Sequence, residues 1–247
     1  MLQALATTLD VMDVEIWSDI ACPWCYVGKK RFEAALASFA HADEVSVTWR
    51  SFELDPSAPA DRGLPHDELL AKKYGRSLEE VHQMDAQLTA VAAAEGIEMK
   101  LDAARSGNTF DGHRIVHLAK ASGLGEEMKE RLFQAYFTEG ELIADHDVLL
   151  RCAVEVGLDE ASVREVLLTE RFAEDVREDE LTAQSAGISA VPCFVIDRKL
   201  GASGAQPPEE LLRFLEHGWS QRQPAPPIAF GEGSGVAEGD ACGPEGC

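Results

Sequence analysis

The sequence contains no run of about eighteen apolar residues, so no segment reads as a membrane-crossing helix. Its opening, Met1 to Asp10, has neither a basic stretch nor an adequate apolar stretch for a secretion signal, and the expected compartment is the cytoplasm. Cations are scarce: 22 Lys and Arg stand against 44 Asp and Glu, a net charge of −22. Such a chain repels phosphate backbones and anionic lipid surfaces alike, which argues against nucleic acid and membrane as partners. The acidity is spread along the chain rather than gathered into a block, and reads as a solvated surface. There is no internal repeat and no second C-x₂-C, so the one such pair present would be at most half a zinc site.

That pair is Cys22-Pro23-Trp24-Cys25, placed directly after the strand-like run Val14 to Asp19 and opening the helix-like run Lys29 to Phe39. Two cysteines at this spacing at a helix start can close into a disulfide with little backbone movement. The unpaired N–H groups and dipole of the helix favour thiolate on the first of them. With Cys22 as N-cap, Pro23 is the first helical residue, where its missing N–H costs nothing. Cys22 is then expected to be exposed and Cys25 to sit one turn inside. In a cytoplasmic protein, structural disulfides are rare and such a pair cycles between dithiol and disulfide, a dithiol of the thioredoxin type.

The 247 residues can bury a substantial core. The period of the apolar residues divides them. Residues 13–60 read as βαβ, with Val45 to Trp49 a second strand parallel to the first. Residues 61–170 read as helical throughout. Ser77-Leu78-Glu79-Glu80 is a capping box opening a helix with Val81, Met84, Leu88 and Val91 on one face. Further helices are expected over Thr109 to Ala121, Glu127 to Phe137 and Asp147 to Val156, the last ending at Gly157. Residues 171–221 bring a helix from Phe172 to Ala186, a strand within Ala190 to Asp197, a turn and short strand over Leu200 to Gly204, and an amphipathic helix from Pro208. Residues 222–247 form a Pro- and Gly-rich tail without period, expected to be flexible.

Taken together, Asp19 to Tyr26, the helical insertion, Val191-Pro192 and Ser203-Gly204-Ala205-Gln206-Pro207 resemble the DsbA family, specifically its FrnE-like branch, over about residues 13 to 220. The resemblance implies an α/β, thioredoxin-like fold with a large inserted all-α domain, thiol-disulfide oxidoreductase activity without a cofactor, and a cis peptide bond before Pro192. It makes Cys22 the attacking nucleophile and Cys25 the resolving thiol. Pro23 and Trp24 lie between them and help set thiolate stability. Trp24 either offers an aromatic face to substrate or packs on the fold. Pro192 would face the dithiol and leave the backbone of Val191 to pair with a bound peptide. The family segment Asn108 to Arg114 makes His113 and Arg114 candidates for shaping substrate access, packing being the alternative. The expected partners are disulfide-containing proteins or small thiols and a cellular thiol reductant, met by a monomer.

The remaining cysteines divide by context. Cys242 and Cys247 close the tail as C-x₄-C, with Gly and Pro between them favouring a turn that lets the sulfurs meet. A flexible linker of about twenty residues has an r.m.s. span of roughly 25 Å, so this pair can reach a dithiol on the same chain. The tail pair is therefore read as an auxiliary redox shuttle, or else as an inert end. Cys193 reads as a small buried hydrophobe, or else a third redox thiol, and Cys152, within an apolar helix, as core. The four sulfurs of Cys22, Cys25, Cys242 and Cys247 could alternatively bind a soft metal, but Pro192 beside the dithiol hinders tetrahedral closure and no metal is expected. His113 and His117 stand four apart, yet Arg114 replaces the glutamate that a zinc-protease helix needs.

Two other readings remain open at this level: a glutathione-dependent isomerase of the 2-hydroxychromene-2-carboxylate type, and a thiolate metal-binding or chaperone-like protein. Relatives of the isomerase generally carry serine where this chain has Cys22. Cys22→Ser is expected to abolish disulfide exchange completely, measured as insulin reduction by dithiothreitol. Isomerase activity, by contrast, can survive the change.

Overall fold

The computed structural model describes residues 11–222. Met12–Ser18 is strand β1, Pro23–Ala37 helix α1 and Val45–Ser51 strand β2. A helical stretch follows, with His66–Tyr74 as α2, Leu78–Ala94 as α3, Phe110–Ala121 as α4, Gly125–Phe137 as α5, His146–Val156 as α6 and Glu160–Leu168 as α7. Ala173–Ser185 forms α8, after which Cys193–Ile196 (β3), Leu200–Ser203 (β4) and Pro208–Ser220 (α9) complete the described chain. The sheet runs β2-β1-β3-β4, with β2 parallel to β1 and the β3–β4 hairpin antiparallel to it. This is the α/β thioredoxin-like fold with a helical insertion between β2 and the second half of the sheet.

Local signals account for most boundaries. The Ser77–Glu80 capping box forms, closing the N-terminus of α3 from both sides. Gly157 ends α6 at φ 103°, a conformation that suits glycine alone. Two short helices that the period does not separate are α2 and α7. The apolar row along α3 is also less buried than expected. Val81 is fully buried, but Met84 stays exposed, because α3 packs against α2, a helix with no fully buried residue of its own.

Alternation along β1 sorts the sheet's two faces. Met12, Val14 and Ile16 pack with Phe32 and Ala35 of α1, Phe194 and Ile196 of β3, and Leu211 and Leu215 of α9. Trp17 turns to the opposite face, toward Ala183 of α8 and Cys193. The largest core cluster joins Cys22, Cys25, Tyr26 and Val27 at the head of α1 to α4, α5, α6 and α7. The dithiol therefore sits at the seam between sheet and insertion.

On the Trp17 face one residue, Asp179, joins four elements through its carboxylate and its backbone carbonyl. Asp179 of α8 accepts hydrogen bonds from the Arg50 guanidinium at 2.8 Å and the Ser51 N–H at 2.8 Å, and lies 3.1 Å from His117 Nε2 of α4. Its own carbonyl accepts from Trp17 Nε1 at 2.9 Å. Burial alone would raise its pKa, but His117, the Ser51 N–H and nearby Lys120 outweigh that and hold it below the usual carboxylate range. Asp179→Ala is expected to cost about 3 kcal/mol, the low end for breaking a buried pair, because Arg50 keeps part of its surface in water. Because the folded carboxyl titrates below the unfolded one, its contribution is present above about pH 4 and disappears as pH falls toward the depressed value. Urea unfolding followed by tryptophan fluorescence, at neutral pH and at about pH 3, checks both statements: the wild-type advantage over the variant should shrink in acid.

Candidate active site

The site begins where β1 ends. Asp19 is buried, its carboxylate accepting from the N–H of Ala21 at 3.2 Å and of Leu54 at 2.7 Å, while its carbonyl accepts from the Cys22 N–H at 3.2 Å. These bonds fold the chain into a turn that delivers Cys22 as the N-cap of α1, in extended conformation (φ −94°, ψ 110°), with Pro23 as the first helical residue. The Cys25 N–H closes the first turn onto the Cys22 carbonyl at 3.0 Å. His113 of α4 places Nε2 3.5 Å from Asp19 Oδ1, an electrostatic contact rather than a formed hydrogen bond.

Pro192 reaches the dithiol from the other half of the sheet. The Val191–Pro192 bond is cis. The Cys22 thiol donates to the Val191 carbonyl at 3.7 Å, within reach for sulfur. This approach requires Gly28: a Cβ there would stand 2.8 Å from Pro192 Cγ. Cys22, Cys25, Val191 and Pro192 are thus one constellation. Trp24 projects from it with 44% of its surface exposed, so it is not packed into the core.

The expected exposure of Cys22 needs correction. It retains only 5% of its surface, because Val191 and the insertion cover it, whereas Cys25 retains none. Burial, with the hydrogen bond and charge of Cys22, pushes the Cys25 thiol well above its ordinary value. His113 and Arg114 also depart from expectation. Arg114 is buried, and its guanidinium donates to the carbonyls of Val166, Thr169 and Arg171 and to Asp111. It ties the end of α7 to α4, with every nitrogen already engaged, so it is a packing residue rather than a substrate contact. His113 is 1% exposed and faces Asp19, so it acts through that carboxylate and not on substrate. Cys193 and Cys152 are both buried, with thiols raised by desolvation. Cys242 and Cys247 lie outside the described residues.

One site residue escapes the sequence reading. Lys129 of α5 is 1% exposed, donates from Nζ to the Ser18 carbonyl at 3.1 Å, and lies 5.4 Å from the Phe133 ring centroid. Burial brings its pKa down to about 8, against the pull of Cys25, Asp19, Cys22 and Asp179. The available signal is that Lys129 falls three and four residues before Leu132 and Phe133, a cation on the buried stripe of an amphipathic helix. Beside it, Tyr26 stacks on Phe133 at 4.9 Å and donates to Glu130 at 2.9 Å, fixing α1 against α5.

A four-stranded sheet of this order, a C-x-x-C at the head of α1 and a cis-proline against its first sulfur define a thioredoxin-fold thiol-disulfide oxidoreductase. More narrowly, residues 13–216 match the DSBA-like thioredoxin domain model, and the chain belongs to that family. It is similar to the crystal structure of the probable DsbA oxidoreductase SCO1869 from Streptomyces coelicolor, with a TM-score of 0.83 and 44% identity, covering 96% of this chain and 98% of that one. It is 33% identical over 199 residues to YwbO of Bacillus subtilis (strain 168), described as uncharacterized, covering 77% of this chain and 90% of YwbO. The cytosolic disulfide reductase DsbM from Pseudomonas aeruginosa shares the fold at a TM-score of 0.59 and 18% identity, over 85% of this chain and 99% of DsbM. Among the described residues, no helix is long and apolar enough to cross a membrane, and no group of three or more His, Cys, Asp or Glu could hold a metal ion.

The place of Cys22 at the N-cap of α1, with the thiols of Cys25, Cys152 and Cys193 all raised by burial, predicts a labelling order. A brief pulse of iodoacetamide on the reduced native protein should modify Cys22 at least about tenfold faster than Cys25, Cys152 or Cys193, read by peptide mass spectrometry. Equal labelling of Cys193 would mean that it belongs to the reactive set.

Proposed function

We propose that this enzyme is a cytoplasmic disulfide reductase and isomerase of the FrnE-like branch, acting as a monomer, with Cys22 as nucleophile and Cys25 as resolving thiol. The observation that carries the reading is the graded burial of the pair, with Cys22 against the Val191 carbonyl and Cys25 sealed one turn deeper. In the reducing direction the Cys22 thiolate attacks a substrate disulfide, forming a mixed disulfide and releasing the first substrate thiolate. Cys25, once deprotonated, attacks Cys22 Sγ, forming the Cys22–Cys25 disulfide and releasing the second substrate thiolate. Two electrons pass from the dithiol to the substrate, and a cellular thiol reductant restores them. When the substrate carries a further thiol, that thiol can displace Cys22 first, which rearranges the disulfide with no net electron transfer.

Disulfide-containing proteins and small disulfides both suit the entrance, where exposed Trp24 and Leu54 offer apolar contact and the Val191 backbone offers peptide pairing. The Cys242/Cys247 pair serves as an auxiliary shuttle. The last described residue bearing on this is Arg222, whose Nη2 donates to the Val11 carbonyl at 2.8 Å, at the end of β1 opposite the dithiol. A shuttle must therefore span at least the length of β1, about 23 Å. The segment 223–241 has a contour of roughly 65 Å, which is ample.

The deciding measurement is equilibration of the full chain with a glutathione redox buffer, following Cys22–Cys25 and Cys242–Cys247 separately by mass spectrometry of trapped thiols. A cycling dithiol near the cytosolic poise, exchanging with the tail pair, is the expected result. A stable glutathione adduct on Cys22 that Cys25 never resolves would overturn the reading and favour the glutathione-dependent isomerase. Absence of any mixed disulfide between tail and Cys22, in every single-cysteine variant, would remove the shuttle alone.

A further inference from the structure

Resolution poses a problem that the dithiol cannot solve by itself. Cys25 is completely buried and its thiol is held well above its ordinary value, yet it must lose a proton before it can attack Cys22. Bulk water does not reach it, so the proton acceptor must lie in the same interior.

Three ionisable side chains stand there besides the cysteines. Asp19 is a poor acceptor: both its oxygens already accept backbone N–H groups, and although burial opposes its charge, the contact with His113 and those N–H bonds hold its pKa low. His113 turns Nε2 toward Asp19 rather than toward the dithiol, and burial lowers its affinity for a proton. Lys129 differs from both. Its Nζ donates to one neutral acceptor, the Ser18 carbonyl, and no carboxylate of the described residues lies within ion-pair distance of it. The hydroxyl of the same Ser18 is also buried without a partner among the described residues, so the lysine end shares this interior with a second polar group. The charges that act on it are those of Cys22 and Cys25 from the head of α1, Asp19 from the β1–α1 turn, His113 from α4 and Asp179 from α8, and its anchor, the Ser18 carbonyl, directly precedes the Asp19 turn that presents Cys22.

We infer that Lys129, as the free amine, accepts the proton of Cys25 when Cys25 resolves the mixed disulfide, and that its ammonium returns that proton when the cycle runs in reverse. This rests on the dithiol reading above. The balance is simple: the Cys25 S–H bond breaks and a Lys129 N–H bond forms, the Cys25 thiolate attacks Cys22 Sγ, and the departing substrate thiolate takes its proton from solvent. Electrons move only between sulfurs. The timing also fits, because a Cys22 thiolate attracts the ammonium, and conversion of Cys22 to a neutral mixed disulfide removes that attraction. The amine is thus favoured at the stage that needs it. The inserted helical segment supplies this group, so it contributes to the chemistry as well as to the walls of the site.

The test uses the full chain and the aromatic disulfide 5,5′-dithiobis(2-nitrobenzoic acid) in stopped flow. Attack by Cys22 releases one coloured thiolate and resolution by Cys25 releases the second. Lys129→Arg, which keeps the charge, is expected to leave the first phase within about threefold of wild type and to slow the second by about 10²-fold, the usual weight of a positioned base, whereas Lys129→Met, which also removes the cation beside the Cys22 thiolate, slows both. Arginine keeps the charge but cannot release a proton, so recovery by Lys129→Arg would show that charge alone suffices and would overturn the inference. In the wild type, the second phase should rise with pH through a group lying below the value of about 8 that Lys129 has in the reduced enzyme, because the mixed disulfide has lost the charge of Cys22. A second phase independent of pH between about 6 and 9, or unchanged in both variants, also overturns it, and the wild-type profile stands even if a variant does not fold. Loss of the first phase in the wild type would instead defeat the oxidoreductase reading itself.

Discussion

The buried carboxylate of Asp19 is the point on which the site hangs. It holds the turn that presents Cys22 through the Ala21 N–H, the chain leaving β2 through the Leu54 N–H, and α4 through His113. These three segments belong to the first strand, the second strand and the insertion. An ionised carboxylate at 2% exposure is tolerated because backbone dipoles replace the lost water. Neutralising it would free all three segments at once, which is a larger structural consequence than any single hydrogen bond in the site carries.

The helical insertion is bound to α1 by a charge-rich seam that works differently. Lys29 is 2% exposed yet faces Glu33, Glu126 and Glu130, and Tyr26 adds both a stacked ring and a hydrogen bond to the same helix α5. Paired charges at a partly wet seam add little net stability but fix register, since a shift of one helical turn would leave a buried ammonium unpaired. Register is what the chemistry needs. Lys129 lies one residue before Glu130, so the contacts that seat Glu130 against Lys29, Lys30 and Tyr26 also hold Lys129 against the Ser18 carbonyl at the end of β1.

How much of this was legible in the sequence follows from whether the signal is local. The placement of Cys22 and Pro23 at the start of α1, the capping box at Ser77 and the glycine stop at Gly157 are each decided within a few residues, and each appears in the structure. The cis bond at Pro192 came from family resemblance, since local preference favours trans. What could not be read were properties of residues far apart in sequence. Cys22 is covered by Val191, 169 residues away, and Arg114 is consumed by carbonyls more than fifty residues on. Lys129 was hidden by a rule that is usually sound, that a lysine on a helix belongs to its wet face. Its neighbours Leu132 and Phe133 contradicted that rule, but only a known partner surface gives such a contradiction meaning.

The same lysine links the redox state of the dithiol to the charge of the interior. With Cys22 as thiolate, a buried ammonium is compensated and the reduced form gains from it. When the pair closes to a neutral disulfide, the ammonium keeps only Asp19 and the more distant Asp179 as counter-charges, and burial then works against it. A lysine fixed in its charged form would therefore oppose oxidation of the dithiol throughout the cycle. One that can pass the proton taken from Cys25 on to solvent escapes the conflict, because the neutral amine suits the neutral disulfide as the ammonium suits the thiolate. Oxidation of the dithiol therefore releases two protons, the one the ammonium gives up when Cys22 enters the mixed disulfide and the one Lys129 takes from Cys25, while Asp19 keeps its charge at both ends.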